Sequence, residues 1–355
     1  MDIDNNQLYA QIADLLIVSR QSIVRSVNHT MVMTYFKIGE MIVENEQQGQ
    51  VRATYGKKVL KELSDRLSKE FGKGFSVDNL QNMRQFFSVY SIYEKPSRIS
   101  EAQLVKEKAA ATLLSPLFQL SWSHYLKLMR IEDPNERRFY EIEAFNNNWT
   151  LKELQRQFDS ALYIRLALSR DKDGVKQLAE QGQIVEKPID VLKDPYILEF
   201  LELKEHYRYS EDDLEAEIID KLEHFLLELG KGFTFVGRQV RFTFDEKHYK
   251  VDLVFYNRLL RCFVVIDLKI GALTHQDLGQ MQMYVHYYDR FMKLPEENKT
   301  VGIILCRDKS DALVEITLPE DNDQIFASRY LTVLPDKNEW VKLLNQSFEH
   351  RNMKP

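Results

Sequence analysis

The first half of the chain carries apolar residues every three or four positions, which is the spacing of one face of an α-helix. Ser76 and Thr150 are suitable N-terminal caps, and the glycine-rich stretch 71–75 suits a helix end. Residues 94–112 are polar and are predicted to connect two helical sections. The pattern predicts an all-helical region, with helices over 7–48, 56–71, 76–93, a section beginning at 113, 136–145 and 151–168.

The second half alternates between short β-branched or aromatic runs and helical spacing, which predicts a sheet with helices packed against it. The polar stretch 169–195 contains prolines and is predicted to be a linker. The prediction is therefore α plus α/β, with a helical domain over 1–168 and an α/β domain over 196–355. In the second domain, strands are predicted over 233–244, 249–256, 261–270, 301–306 and 325–333, and helices over 211–229, 276–292 and 339–348.

Composition is that of an ordinary globular protein: 355 residues, 44% of them hydrophobic and 29% charged. The formal net charge of -6 shows no overall basic excess, so any nucleic-acid surface must be local. The acidic, polar N-terminus does not resemble a secretory signal, and no apolar run is long enough to span a bilayer. Cys262 and Cys306 fall in predicted buried strands. We expect reduced core thiols in a cytoplasmic protein that does not bind membranes.

The strand predicted around residues 263–271 contains the clearest chemical feature of the chain. It is apolar and β-branched, yet Asp267 and Lys269 lie two residues apart and therefore project from the same face. Buried charges are costly unless they are paired or bind something. Similar acid-any-Lys triplets at residues 202–204, 245–247 and 297–299 lie in exposed contexts, so the buried strand distinguishes this one.

Asp252 lies in the preceding predicted strand. If the two strands form a hairpin, Asp252 and Asp267 lie side by side, and two adjacent carboxylates repel unless a cation intervenes. Oxygen-only ligands favour Mg²⁺ or Mn²⁺. Such an ion beside Lys269 suits phosphodiester hydrolysis, because both stabilise developing negative charge. A buried Asp–Lys ion pair without chemistry is the alternative interpretation.

The order of strand, acid, acid-any-Lys and helix resembles the PD-(D/E)xK nuclease superfamily, whose core is a mixed central sheet. Gln280 and Tyr284 lie four apart on the following helix, which looks like the Gln-to-Tyr motif of the RecB-like branch near the catalytic site and substrate. The resemblance also implies an additional acid on the first core helix, for which the candidates are Glu215, Glu217 and Glu223, and Glu215 is favoured as the metal ligand. Val251 stands where proline is common, and Asp267 where Glu is commoner.

Several segments are similar to the YhcG family of bacterial nucleases, namely residues 55–57, 120–125, 225–233, 235–239 and 261–271. The resemblance implies a helical N-terminal domain, a C-terminal PD-(D/E)xK domain and DNA as the substrate in repair, restriction or mobile-element processing. A catalytically silent nucleic-acid-binding or assembly subunit of a restriction or defence complex is the alternative. The resemblance leaves open whether the chain forms a homo-oligomer or acts with a restriction-system partner protein.

Residues 56–93 resemble a helix-turn-helix, because two helices are predicted to flank a glycine turn. Residues 51–75 contain seven bases and three acids, a local excess of +4 that could face phosphates. A solvated helix face in a packing domain is the alternative. The basic residues here that are candidates for contact with DNA are Lys57, Lys58 and Arg84.

Overall fold

A computed structural model describes residues 2–48, 53–91, 118–168, 172–203, 209–335 and 340. The chain divides into two compact units, Met1–Gln155 and Arg156–Pro355. The first contains only helices among its described residues, and the second contains a mixed sheet with helices. The predicted fold class, a helical region followed by an α/β domain, is therefore confirmed.

The first unit is built from a long helix and several shorter ones. The longest, α1, precedes a helical hairpin in which α3 begins after the capping side chain of Ser76. The contact between α1 and α3 is so close that a Cβ atom on Gly39 would lie 2.1 Å from the carbonyl oxygen of Met83. The helices are α1 (Asp2–Gln48), α2 (Ala53–Phe71), α3 (Val77–Tyr90), α4 (Trp122–Leu128) and α5 (Pro134–Asn146), and α6 (Leu151–Asp159) crosses the division.

The described part of the second unit contains six strands and the remaining helices. Short 3₁₀ turns lie at Pro188–Val191 and Glu199–Leu201, and a π-turn at Tyr288–Met292 continues α11. The regular elements are α7 (Leu162–Leu168), α8 (Lys172–Gln181), β1 (Tyr196–Ile197), α9 (Glu211–Asp220), α10 (Leu222–Leu229), β2 (Phe233–Phe244), β3 (Lys247–Asn257), β4 (Cys262–Ala272), α11 (His275–Tyr287), β5 (Val301–Asp308), α12 (Asp311–Thr317) and β6 (Ile325–Leu331).

The strands form one mixed sheet in the order β1-β6-β5-β4-β3-β2. Strands β2, β3 and β4 are antiparallel to one another, whereas β4, β5, β6 and β1 run parallel. One apolar core joins the sheet to α9 and α10, and another joins it to α11. The central strands are buried on both faces because helices cover each side, which explains their near-continuous apolar sequences.

Two predicted helices are interrupted. The helix expected over 151–168 breaks between α6 and α7, where Ala161 has a positive φ of 51°. The helix expected over 211–229 is divided at Lys221 into α9 and α10. The pattern also missed β1 and α12, which are too short to show periodicity. The predictions for 94–112 and 113–117, and for 339–348 apart from Trp340, lie outside the described residues.

The domain limits derived from the sequence stay predictions. The division of the structure falls at residue 155, whereas the helical domain was expected to end at 168. Within the expected linker, 169–195, the described residues include α8 and several buried side chains, among them Leu178, Val191 and Lys193.

Candidate active site

Asp252 and Asp267 lie next to each other on neighbouring antiparallel strands. Strand β3 pairs with β4 through Leu253 opposite Ile266, so one further step places Asp252 beside Asp267. Asp252 Oδ2 accepts a hydrogen bond of 2.8 Å from the backbone N–H of Leu268. This contact fixes the carboxylate of Asp252 against β4 at the point where the pairing with β3 ends.

Both carboxylates are in surroundings that disfavour their charge. Burial and the neighbouring charge of Asp267 raise the pKa of Asp252 to about 7. Burial also raises the pKa of Asp267, although the nearby Lys269 opposes the shift. Paired carboxylates with raised pKa values are expected where two acids share a site without a cation between them.

Lys269 forms the counterion of this carboxylate pair. Its Nζ lies 2.8 Å from Asp267 Oδ2 and 3.7 Å from a carboxylate oxygen of Glu211 on α9. Burial lowers the pKa of Lys269, but the charge of Asp267 outweighs it and the pKa rises to about 12. Asp267 Oδ2 is buried, and the ammonium group of Lys269 is its partner in this structure.

Glu215 approaches the pair from α9. Its side chain is buried and accepts a hydrogen bond from Nε2 of Gln239 on β2. Its negative charge contributes to the raised pKa of Asp252, which places it within the field of the pair. The sequence did not identify Gln239 as part of the site. Its backbone has a positive φ of 48°, which the residue type does not predict.

Gln280 and Tyr284 share one face of α11, and Nε2 of Gln280 donates to the tyrosine hydroxyl. Tyr284 is only 1% exposed, and its hydroxyl donates a hydrogen bond of 2.6 Å to the backbone oxygen of Lys250 on β3. The expectation that Tyr284 lines the substrate path stays a prediction, and in this structure the buried ring holds β3 through its hydroxyl. Gln280 is partly exposed and remains a candidate for substrate contact.

The other predicted nucleic-acid contacts lie in the first unit. Lys57 and Lys58 are on α2, where the side chain of Lys58 is exposed. Arg84 is exposed on α3, and its Nε lies 3.1 Å from a carboxylate oxygen of Glu46. The side chain of Trp122, on α4, donates a hydrogen bond to the side-chain oxygen of Asn79, on α3. The amide of Asn79 therefore takes part in packing within the unit.

The donors around the carboxylate pair fit a hard divalent cation. They are the two carboxylates and the nearby acid Glu215, all of them oxygen ligands, and the carboxylate of Asp267 is buried with Lys269 as its counterion. Within the described residues no three His, Cys, Asp or Glu side chains already converge as a metal cluster. Any cation here would therefore use the pair with a backbone oxygen, or with Glu215 after a side-chain movement.

Known proteins show the same combination of parts. Residues 189–345 match the YhcG PDDEXK nuclease domain, and residues 11–165 match the DUF1016 N-terminal domain. The Escherichia coli (strain K12) protein named "Putative nuclease YhcG" is 37% identical over 343 residues, covering 93% of this chain and 91% of that protein. A repair endonuclease from Pyrococcus abyssi has a TM-score of 0.24 and 18% identity over 35% of this chain and 49% of that chain, which is too weak to support an inference.

The mixed sheet and the domain match define residues 189–345 as a nuclease domain of the PD-(D/E)xK class. With both domain matches in order and a relative matched over nearly its whole length, the chain belongs to the YhcG family. In the described part of the chain, no helix is long and apolar enough to cross a membrane.

Proposed function

We propose that this chain hydrolyses phosphodiester bonds in DNA with the help of Mg²⁺ or Mn²⁺. The observation that carries the proposal is the pair of Asp252, which is half-buried, and Asp267, which is buried, on adjacent strands with Lys269 beside them. Such a pair is costly to keep without a ligand. The family resemblance favours DNA repair, restriction or mobile-element processing as the setting, with the chain acting alone or with a partner protein.

In this proposal Asp252, Asp267 and the backbone carbonyl of Leu268 hold the cation, with Glu215 as an additional ligand. A bound Mg²⁺ supplies a positive charge that polarises the phosphate and lowers the pKa of a water molecule. Asp252 is pre-oriented for this task by the N–H of Leu268. Glu215 accepts a hydrogen bond from Gln239 and would have to move from that contact to reach the cation.

Lys269 stabilises negative charge in the proposed reaction. The charge of Asp267 raises the pKa of Lys269 to about 12, so in this structure its ammonium group keeps its proton at neutral pH. It can donate hydrogen bonds to a phosphate oxygen or to the leaving oxygen, whose charge grows in the transition state. If the carboxylate of Asp267 held a cation, Nζ of Lys269 would be free for this role.

The helical unit is proposed to hold DNA through Lys57, Lys58 and Arg84. Lys58 and Arg84 are exposed on two consecutive helices of a helix-turn-helix-like hairpin. The ion pair between Arg84 and Glu46 involves two substantially exposed side chains, and such pairs contribute little to stability. A phosphate group can therefore replace Glu46 as the partner of Arg84 at small cost.

The direct contact between Lys269 and Asp267 favours one second candidate function, a catalytically silent module that binds nucleic acid or assembles a complex. In that case the lysine neutralises the acid permanently and no cation enters. Asp252 counts against it, because a permanent Asp–Lys pair does not need a second, half-buried acid whose pKa is raised to about 7.

Cleavage assays separate the two candidates. With labelled duplex, branched and single-stranded DNA, we expect the wild type to cut at least one substrate with Mg²⁺ and none with EDTA. Replacing Lys269 with Ala should lower the rate about 10²- to 10³-fold, as the loss of one transition-state donor does. The control Lys299→Ala removes the same charge from an exposed position and should cut normally. Equal cutting by Lys269→Ala and the wild type would contradict the proposed site.

A further inference from the structure

The hairpin of β2 and β3 continues beyond the strand that carries Asp267. Pairing between β3 and β4 covers Leu253 to Asn257, whereas β2 and β3 stay paired to the turn at Phe244 and Lys247. We call residues 239–251 the arm. It lies beyond Leu253, the last β3 residue paired with β4, and adjoins Asp252, so it extends directly from the candidate active site.

One face of the arm is aromatic and packs against α11. Phe242 stacks on its cross-strand neighbour Tyr249 at 5.4 Å and on Tyr287 at 3.9 Å between ring centroids. The hydroxyl of Tyr284 holds the backbone of Lys250 on the same side. These contacts fix the arm, and the alternation of side chains along a strand directs the intervening residues to the other face.

The other face is polar and basic. Arg241 and Lys250 are directly opposite each other across the two strands, and both are exposed. The next pair, Thr243 and His248, is joined by a hydrogen bond of 2.9 Å. Like charges in directly opposed positions destabilise a hairpin. Neither Arg241 nor Lys250 forms an ion pair with any described residue, so no acid in the described part of the chain offsets their repulsion.

The basic pair is close to the proposed cation site. Lys250 precedes Asp252 by two residues, a distance of about 7 Å along an extended strand. The arm as a whole also carries Lys247, with Asp245 and Glu246 at its turn, while Arg238 just precedes it. The acids are therefore at the far tip, and the bases Arg238, Arg241 and Lys250 are at the end near Asp252.

We propose that the arm is a phosphate-binding surface, in which Arg241 and Lys250 contact the nucleic-acid backbone beside the bond to be cut. This inference rests on the proposed nuclease function and adds a substrate-positioning surface to it. An anionic backbone laid across the arm relieves the repulsion between the two bases. The anchor from Tyr284 to Lys250 then couples α11 to the position of the bound strand.

The test is the salt dependence of DNA binding by the full chain with Arg241→Gln and Lys250→Gln combined. Fluorescence anisotropy with labelled duplex and single-stranded DNA, in EDTA and between 50 and 200 mM salt, measures the slope of log K against log salt. Each lost phosphate contact lowers the magnitude of that slope by about 0.9, so we expect a decrease of about 1.8 on duplex DNA. In Mg²⁺ the double variant should show a raised KM with a kcat close to that of the wild type.

The matched control is Arg258→Gln with Lys299→Gln, which removes two exposed bases near the other end of β3. It should bind as the wild type does. A double variant whose slope equals that of the control, or a wild type that binds no DNA, would overturn the arm proposal. If the wild type binds DNA and the double variant shows the expected decrease in slope, but the wild type never cuts, the arm proposal stands and the nuclease proposal is refuted. The two failures are therefore distinct.

Discussion

Replacing Asp252 with Asn should abolish cleavage and at the same time raise the melting temperature. Asparagine keeps an oxygen that can accept the N–H of Leu268, but it removes the charge that a cation would need. We expect cleavage to fall by about 10³-fold or more, a loss of about 4 kcal/mol of transition-state stabilisation. The measurement is the single-turnover cleavage rate in Mg²⁺.

The gain in stability follows from the pKa of Asp252. Because burial and Asp267 raise that pKa to about 7, the folded protein binds a proton more tightly than the unfolded chain, and stability falls as pH rises from about 4 to 7. Asparagine removes this cost at neutral pH. Calorimetry should show the melting temperature rising by about 2–4 °C for each kcal/mol relieved.

Asp308→Asn is the control. Asp308 is exposed and ends β5, the strand that runs parallel to β4. It should leave both rate and melting temperature unchanged. An Asp252→Asn variant that cuts at the wild-type rate would contradict the role of Asp252, and a lowered melting temperature would contradict the electrostatic account of the pair.

The largest loss of stability is expected from Glu228→Gln. Glu228 is fully buried on α10, with Oε1 at 2.5 Å from Nη1 of Arg165 on α7 and accepting the backbone N–H of Ile197 on β1. The glutamine leaves Arg165 buried without a counter-charge, which costs about 3–5 kcal/mol. The melting temperature should fall by roughly 6–20 °C. The control Glu217→Gln affects only an exposed ion pair with Lys221 and should change little.

The same residue predicts an acid-dependent loss of stability. Burial raises the pKa of Glu228, but Arg165, Lys193 and Arg156 outweigh burial and lower the pKa to about 2. A depressed folded-state pKa means that the stabilisation is complete above about 4.5 and is lost as pH falls toward 2. Denaturant titrations at pH 6 and pH 3 should show a smaller pH effect for Glu228→Gln than for the wild type. An equal pH effect in both proteins would contradict this origin.

The sequence predicted the main strands and the candidate site because both depend on local pattern. The apolar run of β4 contained two charges, and that contrast selected Asp267 and Lys269 before their surroundings were known. The same reasoning applied to Arg165 within the apolar residues 162–168, and to Glu228 within 225–229, would have suggested a buried pair. It could not have paired them with each other, because they lie 63 residues apart and meet only through the fold.

The opposite limit appears at Tyr284 and Ala161. The spacing of Gln280 and Tyr284 correctly placed them on one helix face, but spacing carries no information about burial, and the ring points into the core. The break at Ala161 depends on a positive φ in a residue that usually favours helix, so local propensity pointed the wrong way. The pairing of Arg241 with Lys250 likewise required the register of the hairpin.

The central claim, that Asp252 and Asp267 share a divalent cation, is tested most directly by anomalous diffraction from crystals soaked in Mn²⁺. We expect one peak between the two carboxylates, with oxygen atoms at about 2.0–2.2 Å, and Lys269 Nζ displaced from Asp267 Oδ2. Crystals of Asp252→Asn should lack that peak. Soaked wild-type crystals with no peak, in which Lys269 still contacts Asp267, would contradict the claim and favour the silent module.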